Sequence, residues 1–178
     1  KNYLYHVLHE KEIPATRTVV VASEKASRNV ERSIQGPLLA RKFDEDVEIE
    51  RAKLEAVEEI GEFCDGIDRG NMFVLFQKIN TGDRYRCLVT PDSVISLADN
   101  SEGWDFSTEN LQYHTISQEK KQIVRDTRKA IGTNVAEVLL RNGKVEDVNP
   151  NPDLDMYKEI SGKDAFEAVA ESLKGDEE

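Results

Sequence analysis

The sequence is poor in the residues that most often announce chemistry. Of 178 residues, two are cysteine, three histidine, five proline and one tryptophan. Cys64 and Cys87 form no CxxC pair and have no clustered metal partner, which fits buried thiols in a reducing cytoplasm rather than a disulfide framework or a zinc site. No apolar run approaches membrane-spanning length. Positive charge is also short: 24 Lys and Arg stand against 35 Asp and Glu, a net charge of -11. That balance argues against a broad phosphate-neutralising surface. There is no glycine-rich phosphate loop, no G-x-S-x-G elbow, no internal repeat and no low-complexity tract. The chain opens on Lys1, consistent with a trimmed N-terminus.

What is present is pattern. Residues 71–100 read as three consecutive strands. Met72 to Ile79 is a short, nearly unbroken apolar run, as a strand buried on both faces would be. Asn80-Thr81-Gly82-Asp83 supplies a turn. Arg84 to Val89 alternates at first, Pro91-Asp92 turns again, and Ser93 to Ala98 alternates in its turn. Short connections make such strands antiparallel neighbours. Residues 2–9 and 17–22 read as two further strands, and 38–43 is apolar but unassigned. Helices are expected over about 23–35, 47–63, 118–141 and 163–173, from apolar residues at helical spacing. Asn142-Gly143 between apolar runs competes as a hairpin signal, but the longer helix, with Gly143 as its cap, is preferred. Trp104 is expected to tuck into the core from a loop.

The expected fold class is α+β: an antiparallel sheet of about five strands around the central meander, helices packed on one face. Residues 1–149 form the core domain. Asn149-Pro150-Asn151-Pro152 breaks the chain, and 150–178 is a C-terminal helical extension packed on the same domain.

Candidate sites are few. His6 and His9, three apart on a strand, point to opposite faces and make a poor metal pair. Asp65, Asp68, Asp83 and Asp92 lie in turns, and a carboxylate cluster there would suit Mg²⁺ and a nuclease or hydrolase. Turn duty is the plainer reading. Lys78, Arg84 and Arg86 gather around the first meander turn as a small basic patch able to touch phosphate. Phe166, Val169 and Leu173 line one face of the last helix, suited to helix-in-groove binding. The expected contact surface is therefore Lys78, Arg84, Arg86, Phe166, Val169 and Leu173.

Two resemblances stand beside this reading. Thr133 to Val145, with Arg141 between apolar residues, resembles the centre of an R-SNARE helix, although Pro150 and Pro152 forbid its continuation. The element order in residues 3–9 and 71–89 is similar to the front of bacterial nucleoid-associated proteins. That likeness would imply a nucleic-acid-associated accessory role.

With catalytic spacing absent, the sequence points to a non-enzymatic, cytoplasmic interaction or regulatory domain with a protein partner, no cofactor, no metal and no membrane. A nucleic-acid-associated protein and a metal-dependent nuclease or hydrolase are the alternatives.

Overall fold

The computed structural model describes residues 2–45, 47–68, 70–101 and 106–174. Trp104 lies outside them. The fold is α+β, with two antiparallel sheets, one in each of two compact units. One unit comprises Lys1–Tyr5 and Thr16–Asn80; the other comprises His6–Ala15 and Thr81–Glu178.

The first unit carries a four-stranded sheet in the order β1 (Thr18–Val21), β4 (Met72–Lys78), β2 (Leu38–Asp44), β3 (Val47–Leu54). Its helices are α2 (Arg28–Ser33) and α3 (Glu58–Phe63). Alternation along β4 divides the strand. Val74 and Phe76 pack with Val30, Ile34, Ile60 and Phe63 under the helices, whereas Phe73 and Leu75 join Phe43 and Tyr5 on the other face. Burying a side chain such as Phe76 contributes about 1.5–3 kcal/mol, and several such residues hold the helices to the sheet.

Residues 47–54 are a strand and not the start of a long helix. Val47, expected to open that helix, and Ile49, expected on its apolar stripe, are 66% and 53% exposed. β3 is an edge strand whose charges pair with its neighbour: Arg41 to Glu48, Lys42 to Glu50. Charged edges of this kind discourage further strand addition. Burial disfavours the ionised form of Glu48, but hydrogen bonds and charge from Arg51 and Arg41 outweigh it and hold its pKa below the ordinary value.

The second unit carries a five-stranded sheet in the order β7 (Leu111–Tyr113), β6 (Val94–Asp99), β5 (Arg84–Val89), β8 (Ala136–Arg141), β9 (Lys144–Asn149). Helix α4 (Gln118–Ile131) starts at Ser117, whose side chain accepts from the Lys120 N–H, and stops at Gly132 in the left-handed region, φ 72°. The expected helix over 118–141 therefore ends ten residues early. Asn142 and Gly143, at φ 49° and 72°, make the two-residue hairpin turn joining β8 to β9. This strand pair also removes the R-SNARE likeness, because the stretch that carries it is not helical.

Two further expectations are corrected. Residues 2–9 belong to helix α1 (Asn2–Glu10), with Val7 and Leu8 buried and His6 paired to Glu10 one turn on, at 3.3 Å. Their aromatic and aliphatic content had imitated a strand. The three meander strands exist, but β4 belongs to one sheet and β5 with β6 to the other. The Asn80–Asp83 stretch is a crossing between sheets and not a hairpin. Residues 150–178 hold α5 (Leu154–Ser161) and α6 (Ala165–Lys174) and fall within the second unit. Among the described residues no helix is long and apolar enough to cross a membrane.

Candidate functional site

The register of β5, β6, β8 and β9 sorts their side chains onto two faces. Tyr85, Cys87 and Val89 share a face with Val138 and Leu140. The opposite face carries Leu88, Ile95 and Leu97, which pack with Tyr157, Met156 and Ala165 from α5 and α6. On the same face, beside these apolar residues, a run of charge crosses the strands. Arg84 and Arg86 from β5, Asp99 from β6, Glu137 and Arg141 from β8, and Asp147 and Asn149 from β9 all lie there. Glu146 joins them because the β8–β9 pairing slips by one residue between Leu139 and Leu140.

These groups form a buried ion network. Arg86 Nε lies 3.3 Å from Asp99 Oδ2, and its Nη1 lies 3.2 Å from Glu137 Oε1. Arg84 Nε is 3.4 Å from Asp99 and 3.6 Å from Glu146. Arg141 Nε reaches Glu146 at 2.9 Å. The Asp99 side chain is wholly buried, and those of Glu137 and Glu146 are 6% exposed. Phe106 lies against the Arg86 guanidinium, ring centre to Cζ 3.8 Å.

Glu137 is the hub. Its Oε1 also accepts the Tyr157 hydroxyl at 3.1 Å, and its Oε2 accepts from Asn149 Nδ2 at 3.4 Å, directly across the hairpin. Burial, and then the Glu137 charge, push the Tyr157 phenol well above its ordinary pKa, so it remains a donor. Burial likewise lowers the Arg84 pKa, against the opposing pull of Asp99 and Glu146. Arg84 Nη1 is buried and makes no hydrogen bond among the described residues. Asp147 and Asn149 are half-buried, so the network meets solvent along β9.

Buried ion pairs are poor stabilisers, because desolvation offsets the Coulomb gain. A sheet face that could have been apolar, as its other half is, carries charge instead. Buried, perturbed charged groups of this kind cluster at functional sites. The oxygens and cations here suit phosphate groups: arginine binds phosphate as a fork, and Mg²⁺ takes one or two protein carboxylates together with phosphate oxygens.

The structure distributes the expected contact residues widely. Arg84 is buried and Arg86 largely so, in the network rather than on a solvated basic surface, since Asp99, Glu137 and Glu146 draw them inward. Lys78 belongs to the first unit. Phe166 and Leu173 are 45% and 56% exposed, Val169 is intermediate, and α6 is held instead by buried Ala165 and Ser172. Asp65 and Asp68 lie in the first unit and Asp83 and Asp92 in the second; among the described residues no three His, Cys, Asp or Glu side chains converge as a metal cage. Sequence reasoning missed Asp99, Glu137, Asp147 and Asn149. The Asn142-Gly143 hairpin signal was the route to them: with it, Glu137, Arg141, Asp147 and Asn149 fall on one face.

No family model matches the chain, and no curated protein matches it. Solved structures do. PsnB, an ATP-grasp ligase complexed with the precursor peptide PsnA2 and AMPPNP, aligns at TM-score 0.75 and 18% identity over 97% of this chain. D-alanine–D-alanine ligase from Bacillus anthracis, complexed with ATP, aligns at TM-score 0.72 and 13% identity over 98% of this chain. The D-cycloserine synthetase DcsG aligns at TM-score 0.77 and 13% identity over 98%. The chain spans 56%, 64% and 69% of those three proteins. It thus shares its fold with part of these enzymes. This likeness overturns the expectation of a non-enzymatic interaction or regulatory domain. It also displaces the nucleic-acid alternative, two of whose three cations, Arg84 and Arg86, are paired with Asp99, Glu137 and Glu146.

Proposed function

We propose that the chain is the nucleotide-binding part of an ATP-dependent ligase of the ATP-grasp kind, acting on a substrate carboxylate. The observation that carries this reading is the charged face of the second sheet, on a fold shared with ATP-grasp ligases. A largely buried set of three arginines and four carboxylates has little value for stability. It is well suited to phosphate oxygens and an accompanying cation.

The roles follow from position. Arg86 and Arg84 supply the cations for phosphate oxygens, and the unsatisfied Arg84 Nη1 is a donor already stripped of water. Glu137, Asn149 and Asp147 supply hard oxygen donors on adjacent strands, which fit Mg²⁺. Tyr157 fixes the Glu137 carboxylate from the apolar side. Mg²⁺ with ATP, when bound, supplies the phosphoryl group that activates a carboxylate for attack by a nucleophile. The expected protein partner narrows to a peptide that carries such a carboxylate; PsnB was solved in complex with a precursor peptide.

Thermal melting of the full chain with AMPPNP, with and without Mg²⁺, tests this. A ligand at a hundred times its Kd raises stability by about 2.7 kcal/mol. We expect a saturable, Mg²⁺-dependent rise in Tm. No rise at millimolar Mg²⁺ and AMPPNP would overturn the proposal.

A further inference from the structure

The first unit holds a second concentration of positive charge, separate from the network above. Arg17 precedes β1, Arg32 lies in the last turn of α2, and Lys78 ends β4. With Ser33, Ile34 and Gln35 they line a cavity of about 230 Å³. The backbone sets them there. The Lys78 N–H donates to the Arg17 carbonyl at 3.0 Å, holding those two side by side. Helix α2 ends at Ile34, which turns extended with its N–H still bonded to the Val30 carbonyl. In β4, Lys78 follows the Val74, Phe76 alternation and lies on the helix-covered face of the sheet.

Among the described residues these three cations lack counterions. Elsewhere in the same unit Arg41, Arg51, Lys42 and Lys53 each hold a glutamate. Arg17, Arg32 and Lys78 make no side-chain hydrogen bond or ion pair among the described residues. Such convergence is unfavourable in itself, and it occurs in a chain of net charge -11, where carboxylates are plentiful. A position near a helix C-terminus accounts for Arg32 alone.

We infer that this cavity binds a small oxyanion carrying two charges, a phosphate group being the class that fits. Two guanidinium forks and an ammonium supply charge-assisted donors on three sides, and the Ser33 and Gln35 side chains add neutral ones. The volume, below the roughly 300–1,000 Å³ typical of sites for larger organic ligands, suits a single phosphate group. The site stands independently of the ligase reading.

Backbone amide NMR of the full chain tests it, with inorganic phosphate in one titration, glycerol phosphate in a second and sodium chloride at matched ionic strength as control. The expected result is saturable shifts at Arg32, Ser33, Gln35 and Lys78 with phosphate and none with chloride. Saturation by inorganic phosphate alone assigns the site to the free ion; saturation by both assigns it to a phosphomonoester group as well. The variant R17Q/R32Q/K78Q, altered only at exposed side chains, is expected to bind about tenfold more weakly or worse, since hydrogen bonds to charged groups are lost. Shifts that match those in chloride, that fail to saturate, or that fall only at Arg86, Glu137 and Asn149 would overturn the inference. So would undiminished binding by the variant.

Discussion

Replacing Tyr157 by Phe isolates one bond of the charged network. The ring is fully buried among Leu88, Ile95, Leu97, Leu111, Met156 and Ala165, and Phe keeps that packing. Only the hydroxyl is lost, with its 3.1 Å bond to Glu137 Oε1. A hydrogen bond to a charged group contributes about 1.5–3 kcal/mol. Glu137 Oε1 keeps Arg86 Nη1 at 3.2 Å, so it is not orphaned, and the lower end of that range applies. For a chain of this size each kcal/mol moves Tm by about 2–4 °C. Tyr157→Phe should therefore lower Tm by roughly 3–8 °C, read by scanning calorimetry. The same change has a signature in alkali. The folded Tyr157 pKa is raised above the ordinary 10.0, so its contribution is whole below that value and is lost as pH rises through the folded pKa. Y157F should flatten the alkaline fall in stability above pH 10. An unchanged Tm together with an unchanged alkaline limb would refute the argument that this hydroxyl anchors Glu137.

Other predictions address single features. The folded Glu48 pKa is depressed below 4.5, so its contribution is present above that pH and lost as pH falls through the folded pKa; Glu48→Gln should flatten the acid limb of a stability–pH profile. Asp153 caps α5 by accepting the Met156 N–H at 3.1 Å, and Asp153→Ala should cost about 1 kcal/mol in urea denaturation. Gly132 ends α4 at φ 72° with open space around a would-be Cβ, so Gly132→Ala should cost about 1–2 kcal/mol from backbone strain alone. Burial pushes the Cys64 thiol up to about 11, so native protein near neutral pH should react with a disulfide reagent only as fast as it opens, and denaturant should release the thiol at once.

The sequence revealed elements better than it revealed how they join. β1, β4, β5, β6 and α6 lie close to where alternation and helical spacing put them. The fold class is α+β as expected, yet the split into two sheets was invisible, because a crossing such as Asn80–Asp83 and a hairpin turn use the same residues. Residues 47–54 misled because an edge strand exposes Val47 and Ile49, which composition alone places inside. The site failed to show for a related reason. Arg84 and Arg86 stand out in the sequence as cations, but their partners Asp99, Glu137 and Glu146 come from other strands, and a helix over 132–141 turns Glu137 about a helix axis and leaves Glu146 without a partner strand. One local decision, hairpin against helix at Asn142-Gly143, concealed most of the network. Residue type had marked the charges; only register gathers them.

The central claim, that this network receives a magnesium–nucleotide complex, is tested most directly by calorimetric titration of the native chain and of Glu137→Gln with Mg²⁺ and AMPPNP. Gln at 137 keeps the shape of the side chain and removes its charge. The account predicts saturable, Mg²⁺-dependent binding by the native chain, weakened about tenfold or more in E137Q while the variant still melts cooperatively. Equal affinity in the two proteins, or binding indifferent to Mg²⁺, would contradict it.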